Sequence, residues 1–209
     1  YKKILNKNFF NNNISFHSFP SLEAQVAAIS DDIAYNNHDL EDGLRAGLFS
    51  IKKISSIPSI SKIVEKHLKN SKKFRKEVLI SQIVRNLINI MVMDVIKTTS
   101  KNIQKQKPKT LNDIYKQKMP LVDFSHKMKK IDKEIKSFLK YNMYNHKMVI
   151  KNTNNGKKII GDLFKHLLKN YQKYISKKFS NYAEKERVVA DFIAGMTDRY
   201  AINLYNKLK

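Results

Sequence analysis

The chain has 209 residues, no Cys or Trp, five Gly, four Pro and a formal net charge of +23. The missing Cys excludes a disulfide-stapled miniprotein, a thiolate zinc site and a thiol nucleophile. The low Gly and Pro content excludes collagen-like and Pro-rich disordered classes, and the length suits one domain with a sizeable core or two small ones.

Helical periodicity dominates the chain and strand alternation is scarce, so an all-α fold with short connections, read as a single domain, is predicted. Residues 1–20 form a lead-in. Tyr1 to Asn6 carry charge without a following apolar run, so no signal peptide is expected, and the first residue is not Met, which reads as a processed chain or a fragment. Pro20-Ser21 starts the first strong helix, with Ser21 as N-cap and Glu23 in the first turn. Pro58-Ser59 starts a second, about Ser59 to Lys69. A long helix follows, about Lys72 to Thr98, with Phe74, Val78, Leu87, Met91 and Val95 among its apolar positions. Lys101 to Lys109 reads as a polar linker. Thr110 and Asp113 form a capping box opening a short helix that Pro120 breaks. Ser125 to Tyr144 and Lys157 to Lys178 are helices separated by a loop, Lys151 to Gly156, and Glu184 to Leu208 is the last. No run approaches the roughly 20 apolar residues of a membrane span, so a cytoplasmic protein without a membrane partner is expected.

The charge has two readings. One is an electrostatic surface for nucleic acid or another polyanion. The other is drift of solvated positions towards Lys. Only five of the 41 basic residues are Arg and the Lys are scattered, which favours drift and leaves at most weak, non-specific nucleic-acid binding. One stretch escapes the bias: no Lys occurs between Lys7 and Lys52, and a third of all acids fall there. Such a segment is expected to be buried, functional or both.

Within it, the helix from Ser21 places Leu22, Val26, Ile29 and Ile33 in one apolar stripe. Asp31, Tyr35 and Asp39, at i, i+4 and i+8, form a row on the opposite side, next to Ala24, Ala27 and Ala28. A helix apolar on one side and Ala-lined on the other is expected to be covered on both, with Asp31 and Tyr35 buried. Three readings of the row stay open: structural hydrogen bonding, a carboxylate ligand to a metal, or a phosphate or sugar site.

The stretches Ser21-Leu22-Glu23-Ala24-Gln25-Val26 and Asp31-Asp32-Ile33-Ala34-Tyr35 through His38-Asp39-Leu40-Glu41-Asp42-Gly43-Leu44-Arg45-Ala46-Gly47 closely resemble the deoxyguanosinetriphosphate triphosphohydrolase-like proteins of the HD-domain superfamily. Arg187-Val188-Val189-Ala190-Asp191-Phe192 through Asp198-Arg199-Tyr200-Ala201 resembles that family's C-terminal signature. Weaker echoes are Arg85-Asn86-Leu87, Met91 to Val95, Asp123-Phe124-Ser125 and Met143 to His146. The resemblance runs from about Pro20 to Tyr205 and implies an HD-domain-like multi-helical bundle. Residues 21–50 would hold the distant-ligand and deoxyribose motifs, and residues 59–209 the C-terminal helical region.

The resemblance also implies a site. The family's metal, a divalent ion such as Mg or Mn, is held by a His, a His-Asp pair and a distant Asp, which matches Asp31. Tyr35 and Asp39 match the residues that line the deoxyribose pocket, Tyr crowding the 2′ position and Asp receiving the 3′-hydroxyl. The family's first His and its His-Asp pair lie upstream of this motif, whereas here His17 is the only upstream His and no His-Asp precedes Ser21. The chain therefore resembles the C-terminal portion of a metal-dependent hydrolase that converts a deoxynucleoside triphosphate to deoxynucleoside and tripolyphosphate. By itself it is expected to be inactive, needing an N-terminal half or a homo-oligomer. The alternative is a non-catalytic basic helical fragment that binds nucleic acid or a partner chain. Arg45 and Arg85 are candidate phosphate contacts, each with a structural ion pair as the competing reading. Arg187 and Asp191 suit a helix ion pair. Gly195, read as mid-helix, suggests close helix packing.

Overall fold

The computed structural model describes residues 18–69, 74–175 and 184–208, and every regular element among them is helical. In chain order these are α1 (Leu22–Arg45), α2 (Ile51–Ile54), α3 (Ser61–Leu68), α4 (Lys76–Gln106), α5 (Leu111–Tyr115), α6 (His126–Leu139), a π-helical turn (Lys140–Tyr144), α7 (Lys147–Tyr174), α8 (Lys185–Ala194) and α9 (Asp198–Leu208). The all-α, HD-domain-like bundle predicted from the sequence is what the chain forms.

The chain divides into two compact units at residues 143 and 144, where the sequence suggested one domain. In the first, α1 lies along α4 and also meets α6, while α3 packs on α4. Ile33, Leu40 and Leu44 of α1 interlock with Ile83, Leu87 and Met91 of α4, and Ile135 and Leu139 of α6 close the same core. Burying a side chain of this size contributes roughly 1.5–3 kcal/mol. Phe49 meets Phe138 edge to face, with ring centroids 5.0 Å apart. In the second unit α7 packs on α8 and α9, around Leu167, Ile175, Val188 and Val189 at one place and Ile159, Leu163 and Ala201 at another.

Several boundaries move. The long helix runs on to Gln106, through most of the expected linker, and stops at Lys107, whose φ of +46° is left-handed. Pro108 accounts for the stop, since the residue before a proline is disfavoured in the α region. The expected loop from Lys151 to Gly156 is helical within α7. His146 caps the start of α7 through its ring nitrogen, and the buried Ile159, Leu163 and Leu167 anchor its later turns. The intervening residues each cost no more than about 1 kcal/mol in propensity, too little to interrupt a helix held on both sides. The last predicted helix is two, broken at Gly195. Gly195 is a C-cap with φ −79°, and a Cβ there would meet only ordinary contacts at 3.6 Å, so close packing is not its reason. The Thr110–Asp113 capping box forms as expected. The parts of the predicted elements that fall on residues 70–73 and 176–183, and His17, lie outside the described residues.

Among the described residues α4 alone is long and apolar enough to cross a membrane, by length and composition. Its buried positions Leu79, Ile80, Ile83, Val84, Leu87, Met91 and Val95 belong to the core of the first unit, which explains much of that apolarity.

Candidate functional site

The site is built on α1. Ser21 caps the helix by accepting the Ala24 N–H at 3.3 Å. Gln25 fixes its first turn from the core side: its amide donates to the Pro20 carbonyl at 2.8 Å, and its Oε1 accepts the N–H groups of Leu121 and Val122 at 3.0 and 3.1 Å. Further along, Asn36 donates to Asp132 on α6 at 3.1 Å. Asn37 donates to the Ile33 carbonyl and lies against Met91 Sδ, and its own carbonyl oxygen is buried without a partner. Sequence reasoning did not single out these three buried amides. Their positions flanking the Ile33–Leu40–Leu44 stripe are the signal that marks them.

Asp31, Tyr35 and Asp39 form one row on α1, as the spacing required. Their environment differs from expectation. Asp31 is exposed and makes no hydrogen bond or ion pair, and Tyr35 is 60% exposed. Ala24, Ala27 and Ala28 are exposed beside them, and so is Val26, at 47%, although it was placed on the core stripe. The reason is geometric. α4 and α6 cover one side of α1, and no described element of this unit covers the other. Avoidance of Lys was read as a sign of burial, yet within this chain the Lys-free face is open. On the other side of α1 from the row, an apolar groove of about 400 Å³ opens between α1 and α4, lined by Val26, Ile29, Ile33, Val92, Val95 and Ile96 and bordered by no charged residue.

The charges nearby are largely spoken for. Asp32, adjacent to Asp31, pairs with Lys136 at 3.2 Å, and Lys136 also holds Asp132 at 2.9 Å. Burial works against the Lys136 ammonium, but its hydrogen bond to Asp132 and the two carboxylate charges outweigh that and raise its pKa above the ordinary lysine value. Among the described residues no three His, Asp or Glu side chains lie close enough together to hold a metal ion.

The two arginines lie elsewhere. Arg45 is 14 residues beyond Asp31, about 21 Å along the helix at 1.5 Å per residue. It pairs with Glu41, Nε to Oε1 2.9 Å, and donates to Ser81 Oγ at 3.0 Å. The Arg45 hydrogen bond holds the Glu41 carboxyl below its ordinary pKa. Arg85 lines the same shallow concavity of about 320 Å³, with Glu77 between them in sequence order on α4. The structure thus gathers Arg45 with Arg85, and Asp31 with Tyr35 and Asp39, but does not join the two groups. The fainter sequence echoes meet at another corner: Asp94 accepts the Ser125 N–H at 2.8 Å and its hydroxyl at 2.7 Å, fixing the start of α6 against α4. Arg187 and Asp191 form the expected helix pair at 2.9 Å.

Residues 122–207, C-terminal to this row, match the phosphohydrolase-associated domain family. Over 195 residues the chain is 46% identical to the deoxyguanosinetriphosphate triphosphohydrolase-like protein of Pelagibacter ubique, covering 93% of this chain and 52% of the relative. The like-named proteins of Bartonella tribocorum and Bradyrhizobium diazoefficiens are 34% and 36% identical, over 93% and 91% of this chain and 50% and 49% of theirs. The chain is a homologue of the deoxyguanosinetriphosphate triphosphohydrolase-like proteins and spans about half the length of the curated relatives it matches.

Proposed function

We propose that this chain supplies the sugar-recognition part of a triphosphohydrolase that splits a deoxynucleoside triphosphate of the dGTP type into deoxynucleoside and tripolyphosphate. In that reaction a water oxygen bonds to the α-phosphorus and the bond from that phosphorus to the 5′-oxygen breaks. The observation that carries the reading is the row Asp31–Tyr35–Asp39, presented on an open, Lys-free helix face. Tyr35 presents a flat ring that would leave no room for a 2′-hydroxyl, and Asp39 offers a carboxylate acceptor for the 3′-hydroxyl, one helical turn apart.

The described residues do not by themselves fit a divalent cation, because Asp31 stands without a second ligand. If Asp31 is one ligand, the others come from outside the described residues of this chain. The groove and the bare Ala-lined face support that reading, since exposed apolar surface of this kind marks a docking face. Arg45, engaged by Glu41 and Ser81 and about 21 Å along the helix from Asp31, is not a contact to the same phosphates.

The test is a hybrid in which this chain replaces the matching half of the Pelagibacter ubique relative. Tripolyphosphate release from each deoxynucleoside triphosphate is followed with Mg²⁺ or Mn²⁺. The 209-residue chain alone is expected to give no turnover, and the hybrid to turn over with a loss of at least about 100-fold in Asp31→Asn. Asp39→Asn should weaken discrimination for the 3′-hydroxyl, and Tyr35→Ala should admit ribonucleotides. A folded, active hybrid indifferent to all three changes would refute the assignment, as would robust turnover by the chain alone.

A further inference from the structure

We propose that the cavity between the C-terminal ends of α4 and α5 and the start of α6 is a binding site for a small phosphorylated anion. This inference is independent of the triphosphohydrolase reading. The cavity measures about 720 Å³, within the range that holds small-molecule ligands. Lys105, Lys116, Lys118, Lys129 and His126 converge on it from four different segments of the chain.

Its electrostatics leave cations in excess. Asp123 is the one acidic residue in the wall, and it is already committed: its Oδ1 accepts the Phe124 N–H at 2.8 Å and its Oδ2 is ion-paired with Lys129. Lys105, Lys116 and Lys118 form no ion pair with any described residue. Lys116 feels only the more distant charge of Asp113, whose carboxyl is itself held by the N–H groups of Lys109 and Thr110. Lys105 and Lys116 also stand at helix C-termini, where they offset the carbonyl ends of α4 and α5. Lys118 has no such role, and the start of α6 contributes the positive end of its own dipole. Scattered lysines on convex surface act singly and are screened. Several around a concave site with low-dielectric walls add, because the field is focused there.

The rest of the wall sets the class of ligand. Met119, Leu121 and Phe124 give one side an apolar lining, so the site suits a phosphate or polyphosphate carrying an organic group. A nucleic-acid strand needs a groove that tracks its backbone past the site, with bases stacked on aromatic rings. Here a single bounded cavity faces the cations.

The experiment is calorimetric titration of the 209-residue chain with tripolyphosphate, with inorganic phosphate and with a single-stranded oligonucleotide, in EDTA at about 0.15 M salt. EDTA keeps a cation at Asp31 from recruiting the anion. The variants compared are Lys116→Gln/Lys118→Gln and, as an equal loss of charge at an exposed site elsewhere, Lys52→Gln/Lys53→Gln. Tripolyphosphate is expected to bind more tightly than inorganic phosphate. Its affinity should fall about tenfold in the first variant and change less than about twofold in the second. Backbone amide shifts on titration are expected to cluster at Lys118, Met119 and His126. Equal losses in the two variants would overturn the proposal, as would no binding, or amide shifts spread along the chain. An oligonucleotide that binds more tightly than tripolyphosphate and loses affinity in the first variant would also overturn it, assigning the surface to nucleic acid.

Discussion

Asp31 and Gln25 lie on the same helix with their usual places exchanged. The carboxylate is open to solvent, and the neutral amide is 7% exposed with three hydrogen bonds. Stability should follow that exchange. Asp31→Ala and Tyr35→Ala are expected to leave the chain unchanged or to raise its stability by up to about 0.7 kcal/mol, Ala being the better helix former at an uncovered position. Gln25→Ala strands the Leu121 and Val122 N–H groups in the core and is expected to cost about 2 kcal/mol. Urea unfolding of the three variants measures both effects. A large loss in Asp31→Ala would mean that its face is covered in the chain after all.

Helix ends carry the next set of consequences. α1 closes at the motif Asp42-Gly43-Leu44-Arg45-Ala46-Gly47, and its two glycines serve different ends. Gly47 has φ +72°, a left-handed conformation that favours glycine. Gly43 is buried against Phe49, and a Cβ there would overlap the ring, which Phe138 holds from the other side. Gly43→Ala should therefore destabilise by about 1–3 kcal/mol through overpacking, outweighing its better helix propensity. Phe49→Leu in the same chain should recover part of the loss, a coupling that a double-mutant cycle measures. At α5 the Asp113 carboxyl is held below its ordinary pKa by the backbone N–H groups of Lys109 and Thr110, together with the Thr110 side chain. A carboxyl whose folded pKa is depressed stabilises above its unfolded pKa, about 3.9, and loses that contribution as pH falls through the folded value. The α5 cap should hold at neutral pH and open below about pH 4. Amide signals of Leu111 to Tyr115 followed by NMR would show it, and Thr110→Ala should loosen the same turn already at pH 7.

Over the whole molecule the two units differ in how much core they own. The first has a continuous cluster drawn from α1, α3, α4 and α6, whereas the second has two small clusters along α7. Since local opening free energies follow buried apolar contact, amides of Leu87, Met91 and Ile135 should exchange with solvent more slowly than those of Val188, Val189 and Ala201. Hydrogen exchange read by mass spectrometry checks the order, and faster exchange in the first unit would contradict it.

The all-α class, the Ser21 and Thr110 caps, the row of Asp31, Tyr35 and Asp39 and the likeness to the triphosphohydrolases were legible in the sequence, because each depends on neighbours within one or two turns or on a contiguous motif. Helix periodicity fixes which residues share a face whatever surrounds it. It does not say whether that face is covered, and here Lys avoidance pointed to burial where the chain leaves α1 open. The continuation of α4 through residues 101–106 and the division at residue 143 were likewise set by tertiary contacts, which outweigh propensities of a fraction of a kcal/mol per residue. So was the meeting of Lys105, Lys116, Lys118 and Lys129 around one cavity. Scattered charge becomes a site only when separate segments are brought together in space, and no local pattern records that.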